Sequence, residues 1–279
     1  MTMHIAILSM KEIEVRGQGI PRYIKEVYEN LKILEKTEDI NVRKFYFPYN
    51  KFLGDAFSFE IGSFFNKIRN KIDLIHIPNG FFIVHRLPEK TKVVSTIHDV
   101  NPIPPKIDNL KYFLKDRLWR YFALKRGIRH NLKISNSIIT NSSQTKDEVI
   151  SLGFDKSKVF VVNLGLDKRF LISENKKVKK LDNKNFIVGY IGSFATNKNV
   201  DFILSSAEQL TNNDINFQLW GAKTYDYHNL VDKASNLKNV NFRGFAPENE
   251  IVDIYDSFDV FVFPSLYEGF GLPILEAQA

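Results

Sequence analysis

Residues 259–279, DVFVFPSLYEGFGLPILEAQA, constrain the fold more than any other stretch. Val260, Phe261, Val262 and Phe263 form a short apolar run bounded by turn signals, which predicts a buried strand. Pro264 and Ser265 end it. Glu268-Gly269-Phe270-Gly271 is a glycine loop carrying one carboxylate. From Leu272 the pattern is that of a helix start, with Pro273 in the first turn, where a missing N–H costs nothing. Strand, glycine loop and helix N-terminus together make an anion site, because free amides and the positive end of the helix dipole face the ligand.

The two carboxylates suit hydroxyls better than phosphate. Glu276, one turn into the helix, would accept hydrogen bonds from a ribose diol, as acidic residues do in dinucleotide folds. Glu268, in the loop, would hold a second polyol such as a sugar. A ligand with phosphates and two polyols is a nucleotide sugar. An ordinary strand–turn–helix with a capping acid has the same spacing, and a lone glycine loop is a weak signal.

The stretch EGFGLPILEA also resembles the signature of the family-four retaining glycosyltransferases of the GT-B fold, the group 1 glycosyltransferases. Seven residues separate the two glutamates of that signature, as they separate Glu268 and Glu276. The resemblance implies an α/β protein with two Rossmann-like domains facing a cleft. It implies that Glu268 and the loop positions Gly269, Phe270, Gly271 and Leu272 hold the donor sugar and diphosphate, and that Glu276 binds the ribose.

A chain of 279 residues is long enough for two domains. It has no cysteine, which excludes disulfides and cysteine-ligated metal sites. The opening MTMHIAILSM lacks the basic region and long apolar run of a signal peptide. No stretch of eighteen consecutive apolar residues occurs. Charge is uneven: residues 1–175 hold 29 Lys+Arg against 19 Asp+Glu, and residues 176–279 hold 10 against 13. A basic first half suits acidic lipid, an anionic acceptor or nucleic acid.

The first half reads as alternating strands and helices. An apolar run at residues 4–8 predicts a strand. A polar loop follows, ending Arg16-Gly17-Gln18-Gly19, and then Ile20, Ile24, Val27, Leu31 and Leu34 recur at helical spacing. The third glycine of the dinucleotide fingerprint is absent, which argues against an NAD(P)-dependent oxidoreductase. GQGIPRYIKEV resembles the family's first loop and helix, and so implies that Gly17 and Gly19 line the cleft near the diphosphate and the acceptor. Further strands are expected at 42–47, 73–77 and 93–97, and a helix at 57–68. His76 lies inside a strand and reads as a core histidine. His98 and Asp99 lie at the carboxyl end of a strand, where parallel sheets bind ligands. The resemblance puts His98 at the donor sugar beside the reacting centre. Asp99 suits either acceptor binding or a turn cap. His4, His85, His130 and His228 stand in no motif and read as structural or surface groups.

Residues 101–108 contain three prolines and read as a loop. From 106 to 133 there are nine Lys/Arg, two Asp and interleaved aromatics, Tyr112, Phe113, Trp119, Tyr121 and Phe122. A packing helix with a solvated basic face, a contact with an anionic membrane and a nucleic-acid surface all fit. No nucleic-acid motif accompanies the charges, and no nucleic-acid partner is expected. A strand at 137–140 is followed by Asn141-Ser142-Ser143, with Ser143 opening a helix. After the strand at 159–163, a lysine-rich stretch without periodicity predicts a linker at 171–185 between domains at 1–170 and 186–279.

The second half repeats the pattern. A strand at 186–191 leads to the loop GSFATNKN and a helix carrying Ile203, Leu204, Ala207 and Leu210. The loop resembles the family's second-domain loop, where an arginine and a lysine clamp the diphosphate. Lys198 matches the lysine. The arginine is missing: Ser193 follows the glycine and Asn197 precedes the lysine. Strands are expected at 217–220 and 240–242, and Pro247, Glu248 and Glu250 read as opening a helix. By resemblance, residues 245–247 lie near the nucleotide base.

The expected activity is transfer of a sugar from a nucleotide-diphosphate donor to a glycan or lipid-linked acceptor with retained configuration. The alternative is a truncated, non-catalytic relative that binds a donor or partner, because family members continue beyond the second glutamate and the second domain reads as incomplete. The nucleotide sugar is a substrate, and neither cofactor nor metal is expected. The expected location is the cytoplasm, with peripheral contact at the inner face of an anionic membrane.

Overall fold

In a computed structural model of the chain, the described residues are 2–10, 19–47, 72–81, 84, 87, 90–100, 118–171, 186–211, 214–224 and 227–279. They separate into two compact units, Met1–Asn163 and Leu164–Ala279. The expected helix at 57–68 and the loop at 101–108 lie outside them, as does the linker stretch apart from Leu171.

The first unit is built on a parallel sheet in the order β2-β1-β3-β4-β5-β6. Its strands are β1 (Met3–Met10), β2 (Ile40–Phe47), β3 (Leu74–Ile77), β4 (Lys92–Ile97), β5 (Ser137–Thr140) and β6 (Val159–Val161). β1 pairs with β2 from Met3↔Ile40 to Met10↔Phe47 and with β3 at Ile5↔Leu74. Parallel strands are covered on both faces, so they read as continuous apolar runs. On one face of β1, Ile5 and Ile7 pack with Ile24 and Val27 of helix α1 (Ile20–Leu34). On the other, Ala6 and Leu8 pack with Ile75, Ile77 and Val93. Each fully buried Ile or Leu contributes about 1.5–3 kcal/mol to this core.

Helix α2 (Leu118–Ile134) buries Ile128 in a third cluster with Ile97, Ile138 and Val149 of helix α3 (Ser143–Ser151). The start of α3 falls within the expected Asn141-Ser142-Ser143 stretch, with Ser143 as its first residue. Ser142 is the N-cap: it has extended backbone, and its Oγ accepts from the Thr145 amide. An N-cap side chain must reach the amide two or three residues on, and only a residue still outside the helix can turn back to it.

The second unit carries a parallel sheet in the order β10-β7-β8-β9, with β7 (Phe186–Ile191), β8 (Ile215–Trp220), β9 (Val240–Gly244) and β10 (Val260–Phe261). Short helix α4 (Lys168–Leu171) precedes it. Val188 and Tyr190 of β7 face Ile203, Leu204 and Ala207 of α5 (Val200–Gln209) and Leu230 of α6 (Tyr227–Ala234). On the opposite face Ile191 packs with Phe170 of α4 and with Ile254, Tyr255 and Phe258 in and after α7 (Ile251–Ser257). Residues 247–250, expected to open that helix, form a turn before it, and Glu250 is its N-cap without a side-chain cap bond. The chain ends in α8 (Leu272–Gln278), with Pro273 in its first turn as its sequence predicts. Among the described residues no helix is long and apolar enough to cross a membrane.

Candidate functional site

Each sheet, among the described residues, has a point where the strand order reverses, and Lys198 and Glu268 lie at that of the second unit. In the second unit the chain runs β7, β8, β9 in one direction and then places β10 on the far side of β7. The loops after β7 and β10 leave the same edge of adjacent parallel strands, since Val260 pairs with Val188 and Phe261 with Gly189. In open α/β sheets this is where ligands bind.

The two loops are joined in three ways. The Leu266 amide donates to the Asn197 carbonyl at 2.8 Å. Lys198 and Glu268 form a hydrogen-bonded ion pair, with their side chains 17% and 26% exposed. The Lys198 ammonium also stands 5.2 Å from the centre of the Phe263 ring. Lys198 occupies this place because it ends a tight turn, Thr196–Lys198, and Asn199 then takes a left-handed conformation, φ 54°, to start α5. Asparagine tolerates that conformation better than most residues.

Beyond Glu268 the backbone amides of Gly269, Phe270 and Gly271 have no hydrogen-bond acceptor among the described residues. Gly271 is the N-cap of α8 at φ 88°, a conformation that disfavours a side chain. Three successive open amides beside a lysine make a place for an anion. Leu272 follows as the first residue of α8, and Glu276 stands one turn further on. Glu276 Oε2 accepts from the Tyr255 hydroxyl at 3.0 Å, and Tyr255 is itself buried. The Tyr190 hydroxyl donates to the Ser193 carbonyl at 2.8 Å, and burial, with the nearby charge of Glu268, pushes its ionisation well above the usual range.

In the first unit the order reverses between β1 and β3. His98 follows β4 directly and is held from three sides. Its Nε2 lies 3.0 Å from the Pro78 carbonyl after β3. Its own carbonyl accepts from the Thr145 hydroxyl of α3 at 3.4 Å. The Tyr23 ring of α1 meets the imidazole edge-on, with centroids 4.8 Å apart. Burial pushes the His98 ionisation down, partly offset by the Pro78 contact, so the ring is neutral at ordinary pH. Asp99 follows and is partly exposed. Gly19 is the N-cap of α1 at φ 65°, and its carbonyl accepts the first helical bond from the Tyr23 amide. Gly17 lies outside the described residues.

His76 is buried, as a core histidine should be, but it is not inert. Its Nε2 is 2.9 Å from Thr96 Oγ1, which is 2.8 Å from the Tyr23 hydroxyl. Among the described residues no group of three or more His, Asp or Glu side chains is placed to hold a metal ion. Sequence reasoning did not single out Tyr255, Phe263 or the Pro78 carbonyl. Tyr255 carries only the signal of a core aromatic at helical spacing, and a backbone carbonyl carries none.

Comparison with known proteins identifies the family and the fold. The model of Glycosyltransferase Family 4 matches residues 21–170, and that of Glycosyl transferases group 1 matches residues 172–279. The chain is 27% identical over 173 residues to the capsular polysaccharide biosynthesis glycosyltransferase CapM of Staphylococcus aureus, covering 58% of this chain and 46% of that protein. It is 25% identical over 224 residues to the O-antigen chain mannosyltransferase B of Escherichia coli, covering 76% and 56%. The chain thus spans about half the length of the curated relatives it matches. Among solved structures, that of Anabaena Alr3699/HepE in complex with UDP and glucose aligns over 99% of this chain and 78% of that one, with a TM-score of 0.58 at 17% identity. By its family match over more than half its length, and by its GT-B fold, the chain belongs to the group 1, family-four glycosyltransferases.

Proposed function

We propose that this protein transfers a sugar from a nucleoside-diphosphate donor to a glycan or lipid-linked acceptor, with retention of configuration at the anomeric carbon. The observation that carries the reading is the pairing of Lys198 with Glu268 beside the open amides of Gly269, Phe270 and Gly271. A cation and three amides suit the diphosphate. A carboxylate in the same place suits sugar hydroxyls.

The roles follow from the chemistry. Lys198 and the amides from Gly269 to Leu272 stabilise charge that develops on the leaving diphosphate, which is the largest single contribution in reactions of this kind. Glu268 accepts from hydroxyls of the donor sugar, and Glu276 from the ribose diol. Gly17 and Gly19 let backbone approach the diphosphate and the acceptor. His98 stands at the donor sugar, and Asp99 on the acceptor side. The bond between the anomeric carbon and the phosphate oxygen breaks as the acceptor oxygen attacks the same face. The acceptor proton passes to the departing phosphate oxygen, so no protein nucleophile is required. The arginine that accompanies the family's lysine is absent, so Lys198 and the amides carry the neutralisation.

The exposed basic side chains Arg126, Arg129 and Lys133 lie on one face of α2, opposite buried Ile128 and Asn131. This supports an anionic acceptor or a peripheral contact with anionic lipid at the cytoplasmic face. The test of the activity is incubation of the protein with a panel of nucleoside-diphosphate sugars, following release of the diphosphate. The anomeric coupling constant of the product reports retention. Absence of release with every donor and acceptor, from protein that binds nucleotide, would refute the catalytic reading.

A further inference from the structure

The His76–Thr96–Tyr23 chain has no part in the reading above, yet it ends against His98. Thr96 is 1% exposed and His76 5% exposed, so this is a polar chain in the sheet interior. A buried hydroxyl left unpaired costs about 1–3 kcal/mol, so a phenylalanine at position 23 would fill the space with less demand. Here the Tyr23 hydroxyl is tied to Thr96 at 2.8 Å, and Thr96 to His76 at 2.9 Å. The backbone end of Tyr23 is set by the first turn of α1, through its bond to Gly19. With both ends of the side chain fixed, the ring meets two imidazoles edge-on. It crosses His98 at 83° and 4.8 Å, and His76 at 81° and 6.3 Å.

The state of His98 follows from its partner. A carbonyl oxygen can only accept, so His98 Nε2, at 3.0 Å from Pro78 O, carries the proton. In the neutral ring Nδ1 is then an acceptor, and it has no partner among the described residues.

We propose that Tyr23 is the positioning residue for His98: anchored through Thr96 to His76, its ring braces the imidazole so that Nδ1 is presented as a hydrogen-bond acceptor to a sugar hydroxyl. This rests on the reading of His98 as a group at the donor sugar. It also joins the helix that starts at the first glycine loop to the strand-end histidine, so the two features act as one unit.

The test uses Tyr23→Leu, Tyr23→Phe and His98→Ala, with kcat, donor KM and long-range nitrogen–proton spectra of the histidine rings. Wild type should show His98 as a single Nε2–H tautomer, a readout that needs no donor. Tyr23→Leu should lower kcat about 10- to 100-fold, as a small misplacement of a reacting group does, with donor KM changed less than about threefold. Its His98 signals should move to a mixture of tautomers. Tyr23→Phe keeps the ring and loses the anchor, and should lower kcat about three- to tenfold by the same reasoning. An unchanged kcat in Tyr23→Leu, or a His98 that remains a single tautomer in it, overturns the proposal. If the leucine variant does not fold, the phenylalanine variant decides, and wild-type kcat in it overturns the anchoring role. Wild-type turnover in His98→Ala instead removes the reading on which the proposal rests, and the spectra distinguish the two failures.

Discussion

Lys198 and Glu268 lie 70 positions apart and are ion-paired across the loops that leave two adjacent strands, β7 and β10. The pair lies where the strand order of the second sheet reverses. A ligand diphosphate entering there would share Lys198 with Glu268, so the lysine is held in place before any anion arrives.

Lys198→Ala should weaken binding of a nucleoside diphosphate, and the loss should shrink as salt is raised, because screening weakens the lost attraction. Titration calorimetry at low and high ionic strength checks this. An affinity loss independent of salt would assign the effect to the loop's shape and not to charge.

Glu276→Ala should weaken nucleotide binding by about 1.5–3 kcal/mol, the range for a hydrogen bond to a charged group, or roughly 10- to 100-fold. Tyr255→Phe removes the hydroxyl that donates to Glu276 Oε2 and should cost less, since the carboxylate itself remains. Equal affinities for the wild type and the Glu276 variant would take the ribose role from this residue.

For His98→Ala the expected outcome is a large fall in kcat with nucleotide affinity retained, because the ring is proposed to act at the donor sugar, whereas Lys198, the open amides and Glu276, proposed for the diphosphate and the ribose, belong to the second unit. Steady-state kinetics set beside equilibrium binding of the nucleoside diphosphate separates the two.

Stability should fall as the medium is acidified from about pH 6.5 toward pH 4. Burial, with the neighbouring His98, pushes His76 from its ordinary value down to about 4. Above 6.5 neither the folded nor the unfolded state holds the proton, and the effect is nil. Between the two values the unfolded chain binds it and the folded one does not, so folding loses up to about 1.4 kcal/mol per pH unit from this group. His98, shifted in the same direction, adds to the slope. Urea midpoints across this range measure the slope, and His76→Gln should flatten it. An unaltered slope in that variant would place the acid sensitivity elsewhere.

Gly271→Ala should cost about 1–2 kcal/mol, the penalty of a side chain in a left-handed conformation. Space does not forbid the change, since among the described residues an added Cβ would meet only Ile274 Cδ1, at 3.6 Å. Thermal unfolding checks it, and no shift would mean that the loop relaxes to another conformation.

Much of this architecture is legible in the residues alone. Apolar runs such as those around Ile5 and Tyr190 announce strands, because a parallel strand must bury both faces. Ile20, Ile24, Val27 and Leu31 announce a helix by their spacing, and the loop from Glu268 to Gly271 with Pro273 after it announces a strand–loop–helix junction. Helix caps were less legible: Ser142 and Ser143 are adjacent and chemically alike, and only backbone geometry selects the one that turns back. Sequence determines local conformation and the kinds of group available, because these depend on neighbours along the chain. Tertiary structure alone decided that Lys198 meets Glu268, that Tyr255 meets Glu276, and that Tyr23, Thr96 and His76 end against His98. Those partners are 70, 21 and up to 75 positions apart, and only the order of strands in each sheet brings them together.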